Sequence, residues 1–282
     1  MEEAFAKLSE ELSNTTLEYG EVIHKVRMDL EEPVFDHLRA TYGAFYRTFW
    51  ENTSFAKEAK QTVLLVERRE HPNIEFVLQN VMYYCSQSEQ PFSLTIVCSD
   101  ANVDYVKGVL GNHVETTQII PYFKGIGTRD EGRNEYNAAF KSAAFWNQIN
   151  AEYILSIQTD CYLLQPIPPV FWTYEYIACS WSWNPNCVGG GGLTWRKKDT
   201  VLHIIEAMQG KEGFEGEDCF FSEGCALVNA KSPGFEEAMS YFVESCFTET
   251  KPIGVHQWWT YWFPMQEDPE YKKQLLDLYT IL

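Results

Sequence analysis

Apolar residues recur along this chain with two different periods. Up to residue 60 they fall at helical spacing, with Phe5, Leu8 and Leu12 as one set and Phe35, Leu38, Tyr42, Phe45 and Phe49 as another. Pro33 stands between the sets, in a position that suits the first turn of a second helix. From residue 61 the pattern changes to short apolar runs. Residues 62–67 (TVLLVE), 93–98 (SLTIVC), 114–121 and 153–157 (YILSI) predict buried strands. Between them, residues 75–86, 103–110 and 133–149 predict helices. Strands alternating with helices imply βαβ units, so the fold class is α/β: a mostly parallel central sheet flanked by helices. Residues 1–60 read as an N-terminal helical appendage, and residues 61–282 as the main domain. After residue 165 the chain breaks into short aromatic, Gly-rich and Pro-rich pieces. Open α/β sheets bind ligands at the carboxyl ends of their strands, so this irregular half is expected to cover that crevice.

Charge narrows the choice of ligand. The 282 residues carry 22 Lys+Arg against 40 Asp+Glu, a formal net charge of −18. Such a field repels nucleic acid and anionic membrane surfaces, so neither is an expected partner. An anionic small ligand would need a local offset, which a bound cation supplies. Aromatic residues make up 15% of the chain, enough for a large core and for faces that pack against sugars. There are eight Cys and no Cys-x-x-Cys spacing, which argues against a zinc ribbon. Cys85 and Cys98 sit in apolar runs and read as buried thiols of a reducing, cytoplasmic protein. No stretch approaches the roughly 20 apolar residues of a spanning helix.

Four segments carry candidate chemistry. In ILSIQTDCYLL an apolar strand runs into Gln158-Thr159-Asp160, and a carboxylate there is placed to ligate a metal or to cap a turn. VGGGGLTWR, with Gly191 and Gly192, permits a ligand to approach the main chain or forms a flexible surface turn. Trp181, Trp183 and Trp195 flank it as a candidate binding wall. In GEDCFFS, Glu217 and Asp218 precede two Phe; a carboxylate against aromatic groups has a raised pKa and suits a general base. They equally fit a solvated acidic loop. In GVHQWW, His256 stands beside Trp258 and Trp259, as a metal ligand or as a core histidine. Scarce basic residues add a fifth signal. Glu67, Arg68 and Arg69 end the first strand, and Asn137 and Lys141 share one helix face. Arg68, Arg69 and Lys141 could each pair a diphosphate, and the two arginines equally fit surface ion pairs.

In this order the segments resemble a GT-A-type glycosyltransferase, an enzyme class that uses nucleotide-sugars. More narrowly, the run from residue 60 to 262 looks like an uncharacterised GT-A-like family of algae, fungi and large algal viruses. The resemblance divides the domain into a nucleotide-sugar half (61–165) and an acceptor half (166–282). It implies that Asp160 and His256 hold Mn²⁺ or Mg²⁺ on the donor diphosphate. Gln158 stands where the family's metal motif has a first Asp, which removes one negative ligand. Glu67, Arg68, Arg69, Asn137, Lys141 and Gln158 would line the donor site. Asp218, beside Glu217, would be the general base of an inverting transfer. Trp181, Trp183, Gly191, Gly192, Trp195, Trp258 and Trp259 would shape the acceptor site. The implied donor is a UDP-sugar, UDP-xylose among the options, and the acceptor a glycan. For a viral member the setting is the host cytoplasm. A catalytically silent carbohydrate-binding or scaffold protein on the same fold is the competing expectation.

Overall fold

Aliphatic runs without polar alternation are stable as strands only when both faces are covered. The computed structural model of the chain, which describes residues 1–13 and 15–265 with Lys273, Gln274, Asp277 and Tyr279, places four such runs side by side. Gln61–Val66 (β1), Phe92–Ser99 (β2), Thr117–Phe123 (β3) and Tyr153–Ile157 (β4) are parallel in the order β3-β2-β1-β4. Cys161–Leu163 (β5) follows β4. Tyr176–Cys179 (β6) and Gly190–Lys197 (β7) extend the main sheet as β4-β7-β6, with β7 antiparallel to both neighbours. Phe242–Val243 (β8) and Gly254–His256 (β9) join β5 in a small second sheet.

The helices are Glu2–Leu12 (α1), Tyr19–Asn52 (α2), Ile74–Ser86 (α3), Val103–Leu110 (α4), Arg129–Phe140 (α5), Ala143–Trp146 (α6), Lys198–Ala207 (α7), Glu217–Val228 (α8), Phe235–Tyr241 (α9) and Trp258–Met265 (α10). The expected α/β layout, with a mostly parallel sheet, is what the chain adopts. No helix among the described residues is long and apolar enough to cross a membrane.

Two expectations need correction. Pro33 does not start a helix; it lies inside the 34-residue α2. An interior proline costs on the order of 3 kcal/mol, and here both sides of it carry buried apolar residues, Val26 and Leu30 before it and Val34, Phe35 and Leu38 after. The single helix expected over 133–149 is two. Ser142 takes an extended conformation between α5 and α6, and the Trp146 indole N–H donates to the Phe140 carbonyl at 2.6 Å. The break turns Phe145 and Trp146 into the core, where both are buried. The expected N-terminal helical segment packs closely on the rest of the chain. Phe35 packs edge-on against Phe76, Tyr162 and Trp259, and the Trp259 indole N–H donates to the Arg27 carbonyl at 3.3 Å. One hydrophobic cluster runs from Phe5 through β1 and β2 to Trp258.

Candidate functional site

Strand order reverses between β1 and β4: β2 and β3 lie to one side of β1, and β4 to the other. A crevice forms at the carboxyl ends of strands where the order reverses, because neighbouring connections leave in opposite directions. The structure has a cavity of about 810 Å³ there. Its walls include Glu67, Arg68 and Arg69 after β1, Phe123 at the end of β3, and Gln158, Thr159 and Asp160 after β4. The start of α5 and one face of α2 complete it. Five of the chain's eight arginines line it: Arg27, Arg68, Arg69, Arg129 and Arg133. Four acids line it too, Glu31, Glu67, Asp130 and Asp160, so the lining is close to neutral where the chain as a whole carries −18.

Asp160 is 6% exposed and meets a buried cluster of polar groups. His256 Nε2 lies 3.3 Å from Asp160 Oδ1, and Glu244 Oε1 lies 3.3 Å from His256 Nδ1. Gln257 Nε2 lies 2.5 Å from Asp160 Oδ2 and 2.8 Å from His256 Nε2. Antiparallel pairing of β5 with β9 sets Cys161 opposite His256 and so brings these distant segments together. Gln257 has φ 44, a left-handed conformation that costs a non-glycine residue energy and is held by its N–H donating to the Asp160 carbonyl at 3.1 Å. Burial works to raise the Asp160 carboxyl, but His256 and Arg27 outweigh it and bring the pKa down to about 2. Burial likewise opposes charge on His256, and the carboxylates of Asp160 and Glu244 overcome it, raising the imidazole to about 10. The cluster therefore demands positive charge.

A divalent cation fits that demand. Asp160 Oδ1 and His256 Nδ1 are buried and make no aligned hydrogen bond, although each faces an oppositely charged partner. Donor atoms of Asp160, Cys161 and His256 all lie within 4.8 Å of one another. Carboxylate plus imidazole suits Mn²⁺, whereas Mg²⁺ prefers oxygen alone. The Cys161 thiol is pushed well up by burial and donates to the Gly192 carbonyl at 3.1 Å, so it packs as a neutral group.

All of the glycine run but Gly189 is strand and not loop. Gly190–Gly192 open β7, and each leaves room for a side chain from elsewhere. A Cβ on Gly191 would lie 1.9 Å from Glu217 Oε1, and one on Gly192 would lie 2.1 Å from the His256 ring. Glycine here makes space for protein groups instead of for ligand. Glu217 pairs at 2.9 Å with Arg196, a fully buried guanidinium surrounded by the rings of Phe140, Trp146, Tyr176 and Phe221 at 4.7–5.5 Å. Burial raises the Glu217 carboxyl against the opposing pull of Arg196. Asp218, the next residue, is half-buried in the first turn of α8, and among the described residues its hydrogen-bond partner is the adjacent Cys219, whose N–H donates at 2.7 Å.

Other sequence-selected residues separate into those at the cavity and those engaged elsewhere. Gln158 lines the cavity and donates to Tyr136 Oη at 3.1 Å. Arg68 is buried, bonding Glu135 at 2.6 Å and the Lys124 and Gly125 carbonyls. Arg69 grips Glu67 with two prongs at 2.9 and 2.7 Å. Asn137 and Lys141 do share a face, but they hold the segment before α8. Asn137 Oδ1 accepts from the Glu217 N–H at 3.1 Å, and Lys141 Nζ donates to the Phe214 carbonyl at 2.9 Å. Trp195 is 0% exposed and stacks on Tyr153 at 5.3 Å, so it is core and no ligand wall. Trp258 and Trp259 are also 0% exposed, packed against Phe5 and Phe35. An aromatic surface does exist: Trp183 is 58% exposed, stacks on Trp181 at 5.6 Å and leans on Tyr261 at 5.8 Å.

Sequence reasoning missed the residues α2 contributes. His24, Arg27, Met28 and Glu31 form an i, i+3, i+4, i+7 stripe that lines the cavity. Arg27 reaches within 3.6 Å of Asp160 Oδ2. Their helical spacing, beside the apolar stripe of Val26, Leu30 and Val34, was the available signal. Glu244 and Gln257 had no comparable signal.

Residues 128–256 match a protein family described as "Protein of unknown function (DUF5672)". No curated protein sequence matches the chain. Among solved structures, one similar chain is a mannosyltransferase from Pyrobaculum calidifontis in complex with GDP-Man and Mn²⁺. The similarity has a TM-score of 0.41 at 13% identity and covers 75% of this chain, which spans 66% of that one. Another is the apo form of mouse xyloside xylosyltransferase 1, with a TM-score of 0.42 at 10% identity, covering 69% of this chain and 88% of that one. At such low similarity, a functional case has to stand on this chain's own side chains.

Proposed function

We propose that the chain is a metal-dependent glycosyltransferase that takes a nucleotide-sugar, a UDP-sugar first among them, and passes the sugar to a glycan acceptor. The observation that carries this is the buried Asp160–His256 pair at the rim of an arginine-lined cavity, at the point where strand order reverses. Asp160 and His256 would hold Mn²⁺, which when bound supplies charge stabilisation to a departing diphosphate. Gln158 would add an amide oxygen and no charge.

Asp218 is the proposed base. Glu217 is committed to Arg196, whereas Asp218 has only a local bond, and α8 meets β7 one residue from where His256 does. The Asp218 carboxylate would accept the acceptor hydroxyl's proton as that oxygen bonds to the anomeric carbon. The bond from that carbon to the diphosphate oxygen breaks, and the configuration inverts. Trp183, Trp181 and Tyr261 offer a sugar-stacking face for the acceptor. The test is nucleotide release from UDP-, GDP- and CMP-sugars, UDP-xylose included, with Mn²⁺ or with chelator. Release that needs Mn²⁺ and vanishes in Asp160→Ala supports the proposal. Glycan binding without release from any donor would point to the silent binding protein instead.

A further inference from the structure

We infer that the diphosphate of the ligand is gripped by a guanidinium clamp built from two helices, Arg27 on α2 with Arg129 and Arg133 on α5, and not by the arginines that end β1. This deepens the donor proposal and rests on it for the ligand being a nucleoside diphosphate. The first observation is how each cavity arginine is already engaged. Arg68 is spent on Glu135 and on the Lys124 and Gly125 carbonyls, with its side chain 8% exposed. Arg69 is spent on both oxygens of Glu67. Arg27 differs. Its side chain is 40% exposed, and it meets Asp160 Oδ2 only at 3.6 Å, an oxygen that already accepts from Gln257 at 2.5 Å. Its donors are available to an incoming anion.

The second observation is on α5. Arg129 and Arg133 are exposed, line the same cavity and lie one helical turn apart, so they share a face. Among the described residues neither is engaged in an ion pair or a side-chain hydrogen bond. Arg68 packs beneath them: a Cβ on Gly127 would lie 3.1 Å from its guanidinium, and one on Gly132 would lie 3.4 Å from its Cδ. Arg68 is therefore a positioning residue for the first turn of α5. The capping box of Thr128 and Glu131 fixes the same turn.

The chemistry matches a diphosphate. A planar guanidinium meets two phosphate oxygens with parallel N–H donors, whereas an ammonium acts as a point charge. Of the four acids that line the cavity, Glu67 is paired with Arg69 and Asp160 with His256, which leaves Glu31 and Asp130 against the three clamp arginines. Gln158 adds no negative charge. The N-terminal helix thereby becomes part of the binding site.

The experiment is calorimetric titration of inorganic pyrophosphate and of UDP, in chelator. The proteins are wild type, Arg27→Gln, Arg27→Lys, the double variant Arg129→Gln/Arg133→Gln, and a remote control, Lys107→Gln. Arg27→Gln and the α5 double variant should each weaken both ligands about tenfold or more, the scale of a lost charge-assisted contact. Arg27→Lys should recover part of that, and Lys107→Gln should stay at the wild-type affinity. Melting temperatures identify any variant that fails to fold, and the Arg27→Lys and α5 variants then carry the test. Wild-type affinity in both Arg27→Gln and the α5 pair would overturn the clamp, as would a wild type that binds neither ligand. Clamp-dependent pyrophosphate binding without turnover of any nucleotide-sugar would keep the clamp and overturn the donor proposal.

Discussion

The imidazole of His256 occupies the space that a side chain at Gly192 would need, at a separation of 2.1 Å from where its Cβ would be. Gly192→Ala must therefore displace His256 from Asp160. It should lower Mn²⁺ affinity on the order of tenfold to a hundredfold, the usual cost of disturbing a ligand's support. Manganese EPR titration would show it. Gly108→Ala is the control: it lies on exposed α4 with nothing within 4 Å, and should raise stability by about 0.5–1 kcal/mol. Unaltered Mn²⁺ binding in Gly192→Ala would remove His256 from the metal set.

Neighbouring acids should divide their labour. Asp218→Asn should lower sugar transfer by roughly 10²–10⁴-fold while leaving the melting temperature near wild type. Glu217→Gln should do the reverse in kind, lowering stability because Arg196 loses its charged partner in the core. Steady-state transfer rates beside thermal melts read both. Full transfer activity in Asp218→Asn would assign the base elsewhere.

Arg196 is the group whose loss the fold tolerates least. Arg196→Met would leave Glu217 buried and unpaired, a change that costs roughly 3–5 kcal/mol for a broken buried pair. The four surrounding rings also lose a cation. Adding Glu217→Leu should restore much of the loss, since replacing both partners by apolar groups removes the stranded charge. A denaturant-unfolding cycle over the two single variants and the double measures this. Equal stability of Arg196→Met and wild type would refute the pairing.

Glu31 gives a pH signature in the metal-free protein. Burial first, then the charge of Asp160, raise its carboxyl from 4.5 to about 6, against the pull of Arg27 and Arg69. A carboxyl with a raised folded pKa binds its proton more tightly in the native state. Its contribution is complete below pH 4.5 and is lost as pH rises through about 6. Glu31→Gln should flatten that fall. Melts from pH 4 to 8 in chelator would show it, and an unchanged slope would contradict the prediction.

The sequence by itself determined strands β1 to β4 of the main sheet, and not β6 or β7. Short apolar runs such as 62–67 and 153–157, too short for a helix and rich in branched residues, predict buried strands, and β1 and β4 lie within a residue or so of them. It also singled out Asp160, three residues beyond β4, as a metal ligand or a turn cap. Tertiary structure decided what local pattern cannot encode. Trp195 and Trp259 looked like ligand walls and are core, because a tryptophan's burial depends on which distant residues cover it. The glycine run looked like a flexible turn and is a strand, because Glu217 and His256, 26 and 64 residues further along from Gly191 and Gly192, fill the spaces it leaves. Arg27 came to the cavity through the packing of α2 against Trp259 and Phe76, contacts between residues far apart in the chain. Periodicity reports how a segment folds on itself; which side chains meet depends on the long-range packing that closes the core.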